Sequence, residues 1–131
     1  MPDGAALDLA EVAMGKLPYS NHRVRVAADG GLFGVTHSQR PGDWQVPFDR
    51  PLPTISRKKV APAAVEGWLR VLDDAGFFQH PGYEANPRAQ GGTFLIVRAR
   101  RRGAVHAIVY QNVRPAPIDD LVRAVERELA R

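Results

Sequence analysis

Between residues 93 and 110 the chain reads TFLIVRAR-RRG-AVHAIVY, two runs of alternating apolar and polar positions joined by a basic turn ending in glycine. A period of two over that length predicts an antiparallel hairpin with one face turned to a core. A two-residue turn would put Arg102 at positive φ, where its Cβ is crowded. A three-residue loop of Arg101, Arg102 and Gly103 needs positive φ only at the glycine, so it is the expected connection. It pairs Leu95 with Val109, Val97 with Ala107 and Ala99 with Val105 on an apolar face. Phe94 with Tyr110, Ile96 with Ile108 and Arg98 with His106 then share the other face, and a slip by one residue would exchange the sets.

A second hairpin is predicted upstream, where RVRVAA and LFGVTHS flank Asp29-Gly30-Gly31. Asp-Gly favours a two-residue turn. That register faces Val26 with Phe33 and Val24 with Val35, leaving Arg23 and Arg25 on the opposite side with Gly34 and Thr36. Residues 54–60 predict a further short strand. From Pro62, which suits a first helical turn, Val65, Trp68, Leu69 and Leu72 recur at helical spacing, and Gly76 supplies the stop. Phe77 and Phe78 follow as plugs for the core edge. After Pro115 and Pro117, a last helix carries Ile118, Leu121, Val122, Val125 and Leu129 on one face.

Residues 39–53 hold four prolines and read as a long loop, as do residues 79–92. Residues 1–22 read as an N-terminal extension with a short amphipathic helix around residues 7–14, followed by a single domain over residues 23–131. The expected fold is α+β in the order β-β-(β)-α-β-β-α. It has an antiparallel sheet of about four to five strands with both helices covering one face.

Composition narrows the class. At 131 residues, 44% hydrophobic and 24% charged, the chain suits one small soluble domain. It has no cysteine, which excludes disulfides, thiolate metal sites and a cysteine nucleophile. No apolar run approaches the roughly 20 residues of a membrane span, and acids interrupt the N-terminal stretch where a secretion signal would be apolar. A cytoplasmic location without a membrane partner is the expectation. The net charge of +4 is a mild bias toward acidic partners.

The face left free by the helices carries the candidate site. The expected register places Arg23, Arg25, Phe94, Ile96, Arg98, Arg100, His106, Ile108 and Tyr110 there, rings and forked donors suited to docking a partner. Trp44 and Phe48 make the first long loop more apolar than a connector needs and are candidates for the same contact. The bland alternative is a solvated face, or one covered by the chain itself or by a second copy. Single-stranded nucleic acid could stack on such a sheet, yet no RNP-type motif occurs and the connectivity differs from the common RNA module. In the basic runs Arg57-Lys58-Lys59 and Arg100-Arg101-Arg102, neighbouring side chains splay apart, so neither makes one phosphate cradle.

His22 and His37 could face each other across the first hairpin, but no third ligand and no HExxH spacing accompany them. No metal or cofactor is expected. Asp119-Asp120 suits a helix N-terminus, whereas Asp73-Asp74 sits at an unfavourable end. No nucleophile elbow, phosphate loop or Ser-His-Asp order is present, so the expected protein is not an enzyme.

Four segments together resemble a known family. They are the glycine-rich turn Asp29-Gly30-Gly31-Leu32-Phe33-Gly34-Val35, the helix end Leu72-Asp73-Asp74-Ala75-Gly76-Phe77-Phe78, the hairpin of residues 93–110, and the last helix after Pro115. The pattern is similar to the small bacterial inhibitors of the emfourin type, associated with protealysin-like metalloproteases, and covers residues 23–130. The loop of residues 44–52 departs from it. The resemblance implies a non-enzymatic protein that blocks a metalloprotease by surface contact. A protein-binding module, with a protease or a second copy as partner, is the expected function. A self-associating assembly subunit and a basic-face nucleic-acid-binding protein are the alternatives.

Overall fold

A computed structural model of the chain describes residues 1–14, 19–39, 56–86, 88 and 92–131. Among the described residues the strands are β1 (Ala5–Met14), β2 (Tyr19–Ala27), β3 (Gly31–Gln39), β4 (Ser56–Lys59), β5 (Tyr83–Ala85), β6 (Gly92–Arg101) and β7 (Ala104–Gln111). Two helices, α1 (Pro62–Asp74) and α2 (Ala116–Ala130), and a 3-10 turn (Phe77–Gln79) complete them. All seven strands form one sheet in the order β4-β3-β2-β1-β6-β7-β5. Every neighbouring pair is antiparallel except β5, which runs parallel to β7. The class is α+β as expected, with seven strands rather than four to five.

The largest correction is at the N-terminus. Residues 5–14 form no helix; β1 lies between β2 and β6 in the middle of the sheet, and β2 already begins at Tyr19. Ala5, Ala6, Leu7, Asp8, Leu9 and Ala10 are all buried. A strand covered on both faces loses the alternation that marks a half-exposed one, and alanine, leucine and glutamate then mimic a helix.

Both hairpins slip by one residue from the expected register. The first connects through Ala28, Asp29 and Gly30, with the Gly30 N–H donating to the Ala27 carbonyl at 3.0 Å and φ +101° at Gly30. It pairs Val26 with Leu32, Arg25 with Phe33 and Arg23 with Val35. His22 consequently pairs with Thr36 and not with His37. The second turns on two residues, Arg102 at φ +51° and Gly103 at φ +79°, and pairs Arg101 with Ala104. Leu95, Val97 and Ala99 therefore share a face with Tyr110, Ile108 and His106.

Packing accounts for both slips. An arginine at positive φ costs about 1–2 kcal/mol. Burial of an aliphatic or aromatic side chain contributes about 1.5–3 kcal/mol, and this register places both Ile108 and Tyr110 under the helices. In the first hairpin, Leu32 is fully buried, and a Cβ on neighbouring Gly34 would stand 2.2 Å from the Leu129 side chain of α2.

The helices follow the sequence closely. α1 begins at Pro62 and stops before Gly76 at φ +76°, burying Val65, Leu69 and Leu72. α2 buries Ile118, Leu121, Val122 and Val125. These side chains, Phe77, and one face of β1, β2, β3, β6 and β7 form a single core, with Trp68, Phe78 and Leu129 packed at its margin. Both helices thus lie on one side of the sheet. Asp73, unfavourable at a helix C-terminus, is offset by the Arg101 guanidinium at 2.7 Å. No helix among the described residues is long and apolar enough to cross a membrane.

Candidate functional site

On the helix-free face the register lines up Arg57 of β4, Phe33 of β3, Arg25 of β2, Asp8 of β1, Arg98 of β6 and Ala107 of β7 in one row. The next row runs through Arg23, Ala10, Ile96 and Val109, and Phe94 stands beyond it opposite Gln111. Arg23, Arg25, Phe94, Ile96, Arg98 and Arg100 occupy the predicted face. His106, Ile108 and Tyr110 do not. The one-residue slip turns them to the helix side, where Ile108 is fully buried and Tyr110 is 3% exposed. Trp44 and Phe48 lie outside the described residues.

At the centre sits Asp8, a carboxylate with no exposed surface. Arg25 grips it with two bonds, Nε donating to Oδ1 at 2.8 Å and Nη2 to Oδ2 at 3.1 Å. Arg23 Nη2 stands 3.7 Å from Oδ2. Burial pushes the Arg23 guanidinium below its ordinary range; Asp8 opposes that shift, and Arg25 and Arg98 add to it. An arginine remains a cation despite this, so a buried carboxylate and its guanidiniums lock β1 to β2 from the helix-free side. Sequence reasoning overlooked Asp8. Its signal was a lone acid between Leu7 and Leu9, opposite an arginine-rich strand.

The rim of the face is wetter than its centre. Arg57 and Lys59 are exposed, and Arg98, Phe33, Phe94 and Ile96 are half-buried. The Arg57 guanidinium stands 5.5 Å above the Phe33 ring, a cation–π contact. Arg25 and Phe33 also wall a hollow of about 410 Å³ that includes Asp3, Gly4, Ala28 and Asp29. Arg100 is committed to the chain start, donating to the carbonyls of Met1, Pro2 and Ala5 at 3.1–3.3 Å.

The basic runs splay as their alternation predicts. Arg101 turns to α1, binding Glu66 at 2.8 Å and Asp73 at 2.7 Å, and the Glu66 bond foremost holds its guanidinium above the ordinary range. Arg102 is exposed at the turn, and Lys58 points away from Arg57 and Lys59.

A second polar group gathers where β5 meets β7. His106 Nε2 donates to the His80 carbonyl at 2.7 Å, and its ring stands edge-on to Phe77 at 5.4 Å. His80 has Nδ1 at 2.7 Å from the Pro81 carbonyl and Nε2 at 3.1 Å from Glu84. Tyr83 donates to Gln111 Oε1. The Tyr110 phenol is pushed up to about 12, by burial first and by the Glu84 charge second. With both His80 nitrogens engaged, this group ties the short strand β5 to the sheet. Among the described residues no three His, Asp or Glu side chains converge as metal ligands.

No protein-family model matches the chain, and no curated protein matches its sequence.

Proposed function

We propose that this chain is a non-enzymatic protein-binding module that docks a partner through the helix-free face of its sheet. The observation that carries the reading is the sorting of that face. Arg57 and Lys59 flank half-buried Phe33 on one side of the face and Arg98 shares β6 with half-buried Ile96 and Phe94, while the sole carboxylate of the central row, Asp8, is buried against Arg25. Rings and arginines at a desolvating centre with cations at the rim suit an acidic protein surface. The cations are dispersed over several strands, not aligned along a groove, which suits a folded partner better than a phosphate chain.

The emfourin-type resemblance supplies a specific form of the proposal, inhibition of a thermolysin-like metalloprotease by surface contact. Titration of such a protease with the chain tests it. Inhibition at micromolar concentration, weakened at least about tenfold (~1.4 kcal/mol) by the combined exposed substitutions Arg57→Glu and Lys59→Glu, is expected. Full protease activity at high micromolar inhibitor rejects the inhibitor form. Undiminished inhibition by the doubly substituted chain rejects the face.

A further inference from the structure

The two edges of the sheet are unlike. β4 presents Arg57, Lys58 and Lys59, all exposed, and charges of this kind prevent another strand from pairing. β7, the strand next to the other edge, has no charged residue between Ala104 and Gln111. Its cover, β5, registers only with Val109, Tyr110 and Gln111.

The β7 backbone shows which groups are left over. The Val109 N–H donates outward to the Gly82 carbonyl at 3.0 Å, and the Gln111 carbonyl accepts from Asn86 at 3.1 Å. Alternate residues of an antiparallel strand turn both backbone groups to the same side. Val105 and Ala107 therefore also turn theirs away from β6, where, among the described residues, no strand pairs with them. β5 begins only at Tyr83, and the His80 carbonyl, which would continue its ladder upstream, accepts from His106 Nε2 at 2.7 Å instead.

The surrounding surface is apolar and open. Val105 is 42% exposed and Tyr83 is 53% exposed, two of the three large hydrophobic side chains exposed among the described residues. Val105, Ala107 and, beside Val109, Tyr83 lie on the helix-free side of the sheet. The charges at the near end are cationic, with exposed Arg102 at the turn.

From these observations we infer that β7 accepts an extended segment of a partner protein as an added antiparallel strand centred on Val105. An antiparallel residue takes both the N–H and the carbonyl of Val105. Such a segment runs toward the Arg102 turn, so its carboxylates belong at its C-terminal end and its apolar side chains on the side of Val105 and Tyr83. Gly82, on which a Cβ would stand 3.3 Å from the Ala107 carbonyl oxygen, limits its other end. The inference rests on the reading of the chain as a protein-binding module, but it uses the backbone edge of β7, not the Arg57 and Lys59 end of the helix-free face.

The test is an NMR titration of the ¹⁵N-labelled chain with a blocked hexapeptide of alternating threonine and valine ending in two glutamates. Val105 and Ala107 amides are expected to shift, and their hydrogen exchange to slow at least about tenfold at saturation. Val105→Pro deletes the outward donor while sparing the β6 ladder, which uses Ala104 and His106, and is expected to weaken binding at least about tenfold. Should that variant fold poorly, Val105→Lys, at an exposed position, guards the edge as β4 is guarded and has the same expected effect. Absence of shifts up to about 5 mM peptide, a range reaching the weakest specific affinities, overturns the inference. So do shifts confined to β4, or binding that survives both substitutions. Peptide-free dimerisation abolished by Val105→Lys overturns it in favour of a second copy as occupant. The Arg57→Glu, Lys59→Glu chain still binds the peptide if the edge acts alone, so a failure of the face and a failure of the edge are distinguishable.

Discussion

Replacing Asp8 with asparagine keeps the shape of the side chain and removes its charge. In the native fold this carboxylate is fully buried, with Arg25 at 2.8 and 3.1 Å and Arg23, itself 3% exposed, at 3.7 Å. At about 4 Å and an effective dielectric near 20, each lost attraction is worth ~4 kcal/mol before desolvation is counted. The guanidiniums remain, now repelling each other without their shared counter-charge. Removing one member of such a buried group costs about 3–5 kcal/mol. A domain of this size is stable by only about 5–15 kcal/mol, so the substituted protein loses roughly a fifth or more of its stability. Urea unfolding at equal slope measures the loss. A companion cycle with Arg25→Gln is expected to show coupling above ~1.5 kcal/mol, because one substitution has already removed what the other would break. The loss should persist at about 0.5 M salt, unlike that of the exposed Arg123–Asp119 pair. A destabilisation below ~1 kcal/mol, or strict additivity with Arg25→Gln, refutes the assignment of Asp8 as the electrostatic centre of this face.

Two further outcomes follow from individual residues. The Tyr110 phenol is held at about 12 against an ordinary value of 10.0, so the folded state prefers the neutral form. Its contribution, ~2–3 kcal/mol, is complete below pH about 10 and lost as pH rises toward 12. Urea midpoints should fall across that window, and Tyr110→Phe should remove most of the fall; an unchanged pH slope in that variant contradicts the assignment. Arg102, at φ +51°, occupies a position that asparagine tolerates better. Arg102→Asn is expected to stabilise the protein by about 0.5–1 kcal/mol in thermal unfolding, and a lower Tm would contradict the two-residue turn.

Local chemistry made much of the architecture legible. Pro62 and Gly76 bracket α1, the spacing from Ile118 to Val125 names the buried stripe of α2, and the alternation from residue 93 to 110 makes a hairpin unavoidable. Each signal is carried by residues within a few positions of one another, where propensity, capping and periodicity act. The arginines were readable for the same reason, because alternation within β2 puts Arg23 with Arg25 and alternation within β6 puts Arg98 with Phe94 and Ile96. The positions of Ile108, Tyr110 and His106 were not readable, because their side depends on a turn whose local preference opposes the observed form.

What the amino-acid order determined by itself is therefore α1, α2 and the two hairpins, and the alternation of apolar and cationic positions along β2 and β6 taken singly. Tertiary structure alone decided which residue faces which. It placed β1 at the centre of the sheet, where burial on both sides hid its strand pattern, and it brought Asp8 to Arg25 and Arg23 across 17 and 15 positions of sequence. The physical reason is one of scale. A turn preference is worth about 1 kcal/mol, and burying Ile108 and Tyr110 beneath two helices is worth several, but that gain exists only once distant segments have assembled.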